Sequence, residues 1–461
     1  MIAPARRAAY AALVDITRGR FDLDEALEQA RAGLTDPRDL ALLRELATGT
    51  LRWQSRLDWT LAPLLRVPLA KLDLEVLVAL RLAAYQLEFL DRIPASAVVS
   101  DAVALVRAAK KTSAAGLVNA VLRRLAGGAR AVLPEASADA SLTEVAAVLA
   151  VTTAHPVWLV ERWLAREPRA VVERWLAFDN EVPPTTLRAN PLAGVTPEAL
   201  AARLAADGVA TTPCLTAPLG LVARGATLVH HPALTEGACT IQDEGSQLAA
   251  LIAPVLPGQR VLDLCAAPGG KTLAYAAAAG ADGHVVACDI RPRRLEILQA
   301  TLTRGHAATT EVVAIDGNAA LPFTTAFDVV AVDAPCSGLG TLRRDPDIKW
   351  RRTAADLLQF QARQLDLLRR AAVVVVPGGT LVYTTCSTEP EENLEVVQAF
   401  LAASPDFEVA PMDGPSADLL APFVDGDGCL RLHPARHGLE GYFGVRLRRR
   451  AAPAQPAAVV Q

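Results

Sequence analysis

Two cysteines occupy matching positions in the sequence, each directly after an apolar run that is typical of a strand. DAPCSGLG (333–340) contains Cys336, and LVYTTCS (381–387) contains Cys386. A thiolate is a nucleophile that can form a covalent intermediate with a substrate carbon. Because ligands of open α/β sheets bind at the carboxyl ends of the strands, two thiols at such ends indicate nucleophilic chemistry at one shared edge.

A glycine-rich turn precedes these cysteines and indicates a cofactor site. DLCAAPGGKT (263–272) ends a first apolar strand and opens a helix. Gly269 and Gly270 let the backbone approach a ligand, and the N-terminus of the following helix favours a carboxylate or a phosphate. The spacing is neither GxGxxG nor that of a Walker loop, which has four residues before Gly-Lys. A dinucleotide or a nucleoside triphosphate is therefore disfavoured.

Two acids end the next two apolar runs. Asp289 ends HVVACD (284–289), and Asp316 ends EVVAID (311–316). An acid about twenty residues after such glycines suits the two hydroxyls of a ribose, and an acid on the third strand can reach an adenine. Each carboxylate could instead cap the helix that follows it. Taken together, the glycine turn and the two acids predict S-adenosylmethionine as the cofactor.

The end of the fourth strand bears on which kind of atom a methyl group would be transferred to. Enzymes that methylate exocyclic amines usually carry Asn/Asp-Pro-Pro-aromatic there, whereas this chain has Asp333-Ala334-Pro335-Cys336. Carbon 5 of cytosine is a weak nucleophile, and a thiolate that adds to carbon 6 converts the ring into an enamine that can attack the methyl group. A second group must then remove the proton from carbon 5. The cysteine pair fits this reaction.

At these motifs the sequence resembles the RNA cytosine-5 methyltransferases, most closely the RsmB/Sun (Fmu) group that acts on 16S ribosomal RNA. The matching stretches are CAAPGGKT (265–272), DAPCSGLGTLRRDPDIKW (333–350), TTCSTEPEEN (384–393), EGYFGVRL (440–447), RANPL (188–192) and IQDEGSQLAA (241–250). The resemblance implies that Cys386, in the Thr-Cys-Ser motif, is the nucleophile. It implies that Cys336 serves proton removal or enzyme release, whereas the DNA enzymes attack with the Pro-Cys thiol.

The resemblance also assigns the remaining site residues. Lys271 and Asp333 are expected to face the cytosine, where a proton donor would stabilise the adduct. Thr388 with Glu391 fits a capping box, so the glutamates of this stretch are expected to be caps, with Pro390 in the first helical turn. The expected cofactor-binding residues are Cys265, Ala266, Ala267, Pro268, Gly269, Gly270, Lys271, Asp289, Asp316 and Asp333.

The elements that hold these residues fall into several predicted domains. Apolar residues at three- and four-residue spacing predict an all-helical domain over residues 4–128, and the resemblance makes it a NusB-like RNA-binding domain. Asp73 and Ser96 are expected to be N-caps within it. Strands that alternate with helices predict a Rossmann-like class I methyltransferase domain with a parallel sheet. The full prediction is helical domain 4–128, linker 129–155 with a short helical piece, small α/β RNA-contacting segment 156–235, methyltransferase domain 236–450 and disordered tail 451–461.

Composition limits the other possibilities. The chain has 461 residues, 52% of them hydrophobic, and a net charge of −4, so its overall charge gives no support to a nucleic-acid partner. The basic clusters, 291–294, 343–344, 349–352 and 446–450, are either solvated faces or RNA contacts. No apolar run approaches the ~20 residues of a membrane span, and Asp15 makes the first apolar stretch too short for a signal peptide. We therefore expect a cytoplasmic protein. We also expect it to be a monomer.

The seven cysteines are odd in number and include no CxxC pair, which argues against a disulfide framework and a zinc site. Their small size favours an apolar packing role for those outside the pair, which are Cys214, Cys239, Cys265, Cys288 and Cys429. HPARH (433–437) spaces two histidines like metal ligands, but it contains a proline and is expected to be a loop. No metal is expected.

Two other functions remain open at this stage. A tRNA cytosine-5 methyltransferase would share the catalytic motifs, and the NusB-like front is the feature that favours ribosomal RNA. A non-enzymatic NusB-like RNA-binding or transcription factor would use the front domain alone. The two cysteines and the cofactor glycines argue against the second alternative.

Overall fold

The computed structural model describes residues 2–137, 139–224, 228, 231–317, 319–323 and 326–451. The described chain divides into two compact units. The first comprises the residues up to Val182 together with Leu342–Ala354, and the second comprises Pro183–Thr341 and the residues from Ala355 on. Almost all of the predicted disordered tail (451–461), and Asn318, lie outside the described residues.

The first unit is helical. Its helices are Pro4–Thr17, Leu23–Ala30, Pro37–Arg52, Gln54–Leu61, Leu74–Phe89, Ala95–Ala108, Ala115–Ala126, Leu142–Thr152, Val157–Leu164, Arg169–Asp179 and Ile348–Arg351, with 3₁₀ turns at Ala62–Leu64, Leu69–Lys71 and Thr112–Ala114. Asp73 is an N-cap residue as predicted, but Ser96 lies inside a helix whose N-cap residue is Pro94. The buried apolar faces of the helices up to Ala126 form a single core.

The unit boundary differs from the predicted domain boundaries. The helices Val157–Leu164 and Arg169–Asp179 group with the first unit, whereas the sequence prediction joined them to the small α/β segment. The segment Leu342–Ala354 also belongs to the first unit, although the residues on either side of it belong to the second. The predicted domain limits therefore remain predictions.

The second unit begins with a small antiparallel sheet. In the described part of the chain it has four strands in the order β2-β3-β1-β4. They are β1 (Thr185–Ala189), β2 (Thr211–Pro213), β3 (Gly220–Ala223) and β4 (Cys239–Ile241). The helices beside them are Pro197–Ala206 and Pro232–Thr235, with a 3₁₀ turn at Pro191–Ala193. The predicted strand over 185–190 is confirmed to within one residue.

A larger sheet carries the predicted chemistry. Its order among the described strands is β10-β12-β9-β8-β5-β6-β7, with β11 beside β12. The strands are β5 (Arg260–Asp263), β6 (His284–Asp289), β7 (Thr310–Ala314), β8 (Phe327–Asp333), β9 (Val375–Thr385), β10 (Phe407–Val409), β11 (Leu430–Leu432) and β12 (Tyr442–Arg449). β5 to β9 pair in parallel as predicted, but β10 to β12 add antiparallel pairing, so the sheet is mixed.

Helices cover this sheet on both faces. The helices of this part are Glu244–Ala250, Gly270–Ala279, Pro292–Arg304, Ala354–Val373, Leu394–Ala403, Ala417–Leu420 and Pro434–His437, with 3₁₀ turns at Pro390–Glu392 and Ala421–Phe423. Successive strand residues enter two different cores: Val285 and Ala287 lie in one, Val286 and Cys288 in the other. This alternation explains the continuous apolar runs in the sequence, because a sheet buried on both faces needs apolar residues at every position. The Rossmann-like fold is confirmed.

The strand order reverses between β5 and β8. From β5 the chain moves outward through β6 and β7, then returns to β8 and continues to β9. Loops diverge at such a point and open a crevice at the carboxyl ends of the strands. The glycine turn after β5 and the Pro-Cys loop after β8 both begin there.

Candidate active site

Cys336 and Cys386 meet at the carboxyl edge of the sheet. β8 and β9 are parallel neighbours, with Asp333 opposite Thr384, so the loops that follow them leave from one place. The two Sγ atoms lie 3.2 Å apart, both cysteines are half-buried, and neither is in a disulfide. The structure thus brings together the two thiols that the sequence singled out.

Close backbone contacts fix the loop that holds Cys336. The amide of Gly340 donates a hydrogen bond to the carbonyl of Cys386 at 3.0 Å, and the amide of Gly441 donates to the carbonyl of Gly340 at 2.8 Å. A Cβ on Gly340 would lie 2.1 Å from the Gly441 carbonyl oxygen. Only glycine fits there, and this contact joins the DAPCSGLG, TTCS and EGYFGV stretches.

The pKa of the Cys336 thiol lies well above its ordinary range. Its hydrogen bond with Cys386 contributes most to this shift, followed by burial. A high pKa keeps a thiol protonated, and the thiolate is the form that attacks. The raised pKa favours the protonated form of Cys336 in this contact.

A charged pair lies beside the cysteines. The Nζ of Lys271 is 2.6 Å from Oδ2 of Asp333, and the hydroxyl of Thr384 donates to Oδ1 of Asp333 at 2.8 Å. Burial lowers the pKa of Lys271, but the Asp333 carboxylate outweighs it and the net shift is upward. The Lys271 ammonium also interacts electrostatically with Cys386 and lies 5.6 Å from the centre of the Tyr442 ring. The side chain is thus held as a cation next to the thiols.

The glycine turn has the geometry expected of a close-approach loop. Gly269 has φ +107°, and a Cβ there would lie 3.1 Å from Leu298 and 3.2 Å from Thr301. The helix Gly270–Ala279 begins directly after it. A side chain at this position would be both strained and crowded, which leaves the backbone accessible to a ligand.

The expected cofactor acids differ in their surroundings. Asp289 is buried at the end of β6, where its Oδ1 accepts from the amides of Ile290 and Arg291 and its Oδ2 lies 3.4 Å from Nε of Arg294. Asp316 is exposed and lies two residues beyond the end of β7, so the prediction that it ends the third strand is wrong. β7 is an edge strand and ends where its pairing with β6 ends.

Asp263 is an acid that the sequence reasoning did not single out. It ends β5 and is fully buried; its Oδ2 accepts from the Thr272 hydroxyl at 2.7 Å, and its Oδ1 has no hydrogen-bond partner among the described residues. Burial raises the pKa of Asp263 to about 7. The available signal was an acid at a strand end, the same signal that identified Asp289.

Cys265 is a packing residue by its surroundings, although it also belongs to the expected cofactor loop. Burial holds the pKa of its thiol well above the ordinary range, and nearby acids add to this shift. The remaining residues of that loop differ in exposure: Ala266 and Ala267 are buried, whereas Pro268 is exposed. Cys239, Cys288 and Cys429 are buried as expected, and Cys214 is half-buried.

The glutamates after Cys386 do not form the predicted capping box. The N-cap residue of the 3₁₀ turn Pro390–Glu392 is Glu389, and no side chain caps that turn. Pro390 is in the first turn as predicted, but the fully buried Glu392 side chain points to Ser337 and Ser387. The capping prediction is wrong because the turn is three residues long and its last side chain is recruited by buried hydroxyls.

Several basic residues from the predicted surface clusters are buried. Arg343 and Lys349 are buried within the first unit, and the Arg446 guanidinium donates to the carbonyls of Ile252 and Pro411 in the second. The Lys349 ammonium donates to Oδ1 of Asn180 at 2.9 Å. These side chains serve internal structure and not an exposed RNA-binding face.

HPARH forms a short helix, and the loop prediction is wrong. Pro434 begins the helix Pro434–His437, a position where its missing N–H costs nothing, and the His433 ring accepts from the Ala435 amide. No group of three His, Cys, Asp or Glu side chains within the described residues could hold a metal ion. In the same part of the chain, no helix is long and apolar enough to cross a bilayer.

Comparison with known proteins gives consistent matches along the chain. Residues 249–448 match the family profile described as 16S rRNA methyltransferase RsmB/F, residues 3–127 match the NusB family, and residues 155–230 match the RsmF/B-like ferredoxin-like domain. The ribosomal RNA small subunit methyltransferase B of Pseudomonas putida is 37% identical over 403 residues, which are 87% of this chain and 89% of that protein. The protein of the same name from Pseudomonas syringae pv. tomato is 36% identical, with 86% of each chain covered.

A solved structure shares the fold over nearly the whole chain. The crystal structure of PH0851 superposes with a TM-score of 0.81 over 97% of this chain and 99% of its own, at 24% sequence identity. At that identity the likeness establishes the fold alone. The predicted combination of a helical front and a methyltransferase fold is confirmed.

Proposed function

The chain belongs to the RsmB/F family of S-adenosylmethionine-dependent RNA methyltransferases, and on that premise we propose that it methylates carbon 5 of a cytosine in 16S ribosomal RNA through a covalent adduct with Cys386. The observation that carries this proposal is the 3.2 Å contact between the Cys386 and Cys336 Sγ atoms at the edge of the sheet. Two thiols in contact can act in sequence on one base. The relatives' names supply the ribosomal substrate.

The residues of the cofactor crevice fit S-adenosylmethionine. The Oδ1 of buried Asp263, which has no hydrogen-bond partner among the described residues, is an acceptor suited to an ammonium group, and buried Asp289 suits ribose hydroxyls. The strained turn at Gly269 and the helix start after it suit the cofactor's carboxylate. When bound, the cofactor supplies an electrophilic methyl group on a sulfonium.

The chain's own residues would then act in a defined order. The Cys386 thiolate adds to carbon 6 of the cytosine, which makes carbon 5 nucleophilic enough to take the methyl group. Lys271, held as a cation by Asp333, stabilises the negative charge that addition places on the ring. A base that Cys336 positions takes the proton from carbon 5, because the Cys336 thiol carries a proton of its own. The carbon–sulfur bond then breaks and returns the Cys386 thiolate.

Substitution of each of the two cysteines should block a different step of the reaction. Cys386→Ala removes the nucleophile, so methylation should vanish while RNA and cofactor still bind. Cys336→Ala leaves addition and methyl transfer possible but impairs release, so protein joined to RNA should accumulate. The adduct is measured as a slow band on a denaturing gel that ribonuclease removes, and Cys214→Ala, which changes a half-buried cysteine of the small sheet region, serves as the matched control.

The double substitution should lose the trapped band, because no nucleophile remains. A trapped species in Cys386→Ala with none in Cys336→Ala would reverse the two roles and overturn the proposal. Bisulfite sequencing of total RNA from cells with and without the protein tests the 16S target. A cytosine that loses its methyl group in a tRNA, with 16S RNA unchanged, would contradict that part.

A further inference from the structure

One buried carboxylate connects the two cysteine loops. The Glu392 side chain is fully buried, and its oxygens accept hydrogen bonds from both loops. Oε1 accepts from the Ser337 amide at 2.7 Å and from Nε2 of Gln364 at 3.1 Å. Oε2 accepts from the hydroxyl of Ser337 at 2.5 Å and from that of Ser387 at 2.6 Å.

The two serines are the residues that directly follow Cys336 and Cys386. Their hydroxyl oxygens lie 3.3 Å apart, which parallels the 3.2 Å between the cysteine sulfurs. A serine hydroxyl has one proton, so a serine that donates it to Glu392 can only accept in any other hydrogen bond of that hydroxyl. Both do so: Ser337 accepts from the Leu339 amide at 3.3 Å, and Ser387 from the Glu389 amide at 3.2 Å.

The main chain around Glu392 is also fixed by hydrogen bonds. The Glu392 carbonyl accepts from the Tyr383 hydroxyl at 2.6 Å, and Tyr383 lies in β9 with its side chain fully buried. The neighbouring Asn393 accepts from the Thr385 hydroxyl at 2.6 Å and donates to the carbonyl of Ser387 at 2.9 Å. The turn that contains Glu392 is therefore hydrogen-bonded to β9, the strand that ends directly before Cys386.

Burial of this acid is costly. All the hydrogen-bond donors to its oxygens within the described residues are neutral groups, and none is a cation. Burial raises the pKa of Glu392, and the hydrogen bonds from Ser337, Ser387 and Gln364 oppose that shift. Desolvation of a carboxylate costs free energy, and here the four hydrogen bonds from Ser337, Ser387 and Gln364 must offset it. The position of Glu392 between the loops indicates a geometric task.

We propose that Glu392 is a positioning residue for the methyl transfer: it holds Ser337 and Ser387 together, and thereby holds Cys336 and Cys386 at the spacing that lets both thiols act on one cytosine. The geometric part stands on the contacts of this chain alone. The catalytic consequence rests on the proposed function. Glu392 itself contacts neither thiol by hydrogen bond and acts through the two serines.

The first test measures how fast the two thiols form a disulfide in the absence of RNA and cofactor, because that rate depends on the spacing of the two sulfurs. Diamide, an azo compound, takes up the two thiol hydrogens as a hydrazine while the two sulfurs join in a disulfide. Ser387→Ala removes the hydroxyl through which the Cys386 loop donates to Oε2 of Glu392. Ser337→Ala removes a hydroxyl as well, but the Ser337 amide still donates to Oε1 of Glu392. Loss of a hydrogen bond to a charged group should slow cross-linking on the order of tenfold in Ser387→Ala, and less in Ser337→Ala.

Peptide mapping of the full-length protein identifies the Cys336–Cys386 disulfide among the other cysteines, and Cys336→Ala is the negative control. Ser404→Ala, on a half-buried serine at the end of the helix Leu394–Ala403, is the matched control and should cross-link like the unaltered chain. Glu392→Gln fills the same space but replaces one acceptor oxygen by an NH₂ group. That group would face the hydrogen-bond donors of the serines and Gln364, so this variant should slow cross-linking as well. If that variant does not fold, the two serine variants decide the question.

The second test separates positioning from stability. Ser387→Ala should lower kcat and leave KM for RNA and cofactor affinity unchanged, because the binding surfaces are intact. Unchanged cross-linking and unchanged kcat, with only a lower melting temperature, would overturn the proposal and make Glu392 a packing residue. Slower cross-linking together with full activity of Cys386→Ala would retain the geometric inference and instead contradict the proposed function.

Discussion

At the scale of single residues, the acidic side chains of the candidate site differ in the partners that surround their carboxylates. Asp263, Asp289, Asp333 and Glu392 are acids at or beyond strand ends, and each has a different set of partners. Asp333 has the Lys271 cation, Glu392 has neutral donors, and Asp263 has one oxygen that no described residue hydrogen-bonds. The same residue type therefore serves as an ion-pair partner, a structural acceptor and a candidate ligand for the cofactor.

Asp289→Ala should weaken binding of S-adenosylmethionine by about 1–3 kcal/mol, because a hydrogen bond from a ribose hydroxyl to a charged acceptor is lost. Asp289→Asn keeps the size and one acceptor oxygen and should lose less. Calorimetric titration measures both. Asp282→Ala, an exposed acid just before the opposite end of β6, is the control and should bind normally. Equal affinity of Asp289→Ala and the unaltered chain would mean that the ribose is held elsewhere.

At the scale of elements, the small sheet supports the cofactor region of the large one. Arg188 in β1 donates to the carbonyl of Gly270 at 2.8 Å, and burial lowers the pKa of its guanidinium to about 10. Asn190, just after β1, donates to the carbonyls of Gly237 and Gly305 at 2.8 and 2.9 Å. The RANPL stretch that resembles the family thus holds the first turn of the helix after Gly269 and the end of the next helix.

Asn190→Ala should lower the free energy of unfolding by about 1–3 kcal/mol, because two buried carbonyls lose their donor. Chemical denaturation followed by fluorescence measures this change in the full chain. Gln299→Ala, on the exposed face of the helix Pro292–Arg304, should change stability little and serves as the control. A loss no greater than that of the control would show that water replaces the amide at both carbonyls.

At the scale of the whole molecule, the chain path does not follow the sequence order of domains. Leu342–Ala354 contributes to the first unit although both of its neighbours belong to the second. Lys349 is fully buried there with carbonyl and amide acceptors, and Trp350 donates to the carbonyl of Leu51 at 2.7 Å. The first unit therefore includes a segment that lies within the methyltransferase motifs in the sequence.

The stability of the protein should depend on pH through Lys349. Burial lowers the pKa of Lys349 to about 7 in the folded chain, whereas an unfolded lysine keeps its ordinary pKa. Between these values the unfolded chain binds more protons, so the free energy of unfolding should rise with pH, by about 2 kcal/mol from pH 7 to pH 9. Lys349→Met should lose this increment, and Lys71→Met, on an exposed lysine of the same unit, should retain it.

Thermal unfolding at the two pH values measures the difference between the variants. The comparison with Lys71→Met is needed because other groups titrate in the same range. Identical pH dependence of the unaltered chain and Lys349→Met would mean that the buried ammonium remains protonated in the folded state. Its contact with Asn180 would then act as that of a charged donor.

Local sequence patterns were sufficient to predict the parallel part of the large sheet and to single out the two cysteines that meet at its edge. Apolar runs ending in Asp289, Asp333 and Thr385 define strands because a sheet covered on both faces requires continuous apolar residues. The end of β7 was misplaced because β7 pairs with β6 alone among the described strands, and that pairing ends at Ala314 opposite Asp289. The HPARH helix and the Ser96 cap were misjudged because helix starts depend on backbone geometry that several residue types can satisfy.

The sequence by itself singled out the residues proposed to carry the chemistry, since two cysteines after neighbouring strands and two glycines before a helix are local signals that need no knowledge of distant contacts. Only the tertiary structure decided which side chains turn inward. It buried Lys349 and Arg446, and it brought Glu392 between two serines that lie 50 residues apart in sequence. It also left Oδ1 of Asp263 without a hydrogen-bond partner in the part of the chain that the structure describes. Such partners are remote along the chain, and the direction of a polar side chain is set by the donors that folding brings to it.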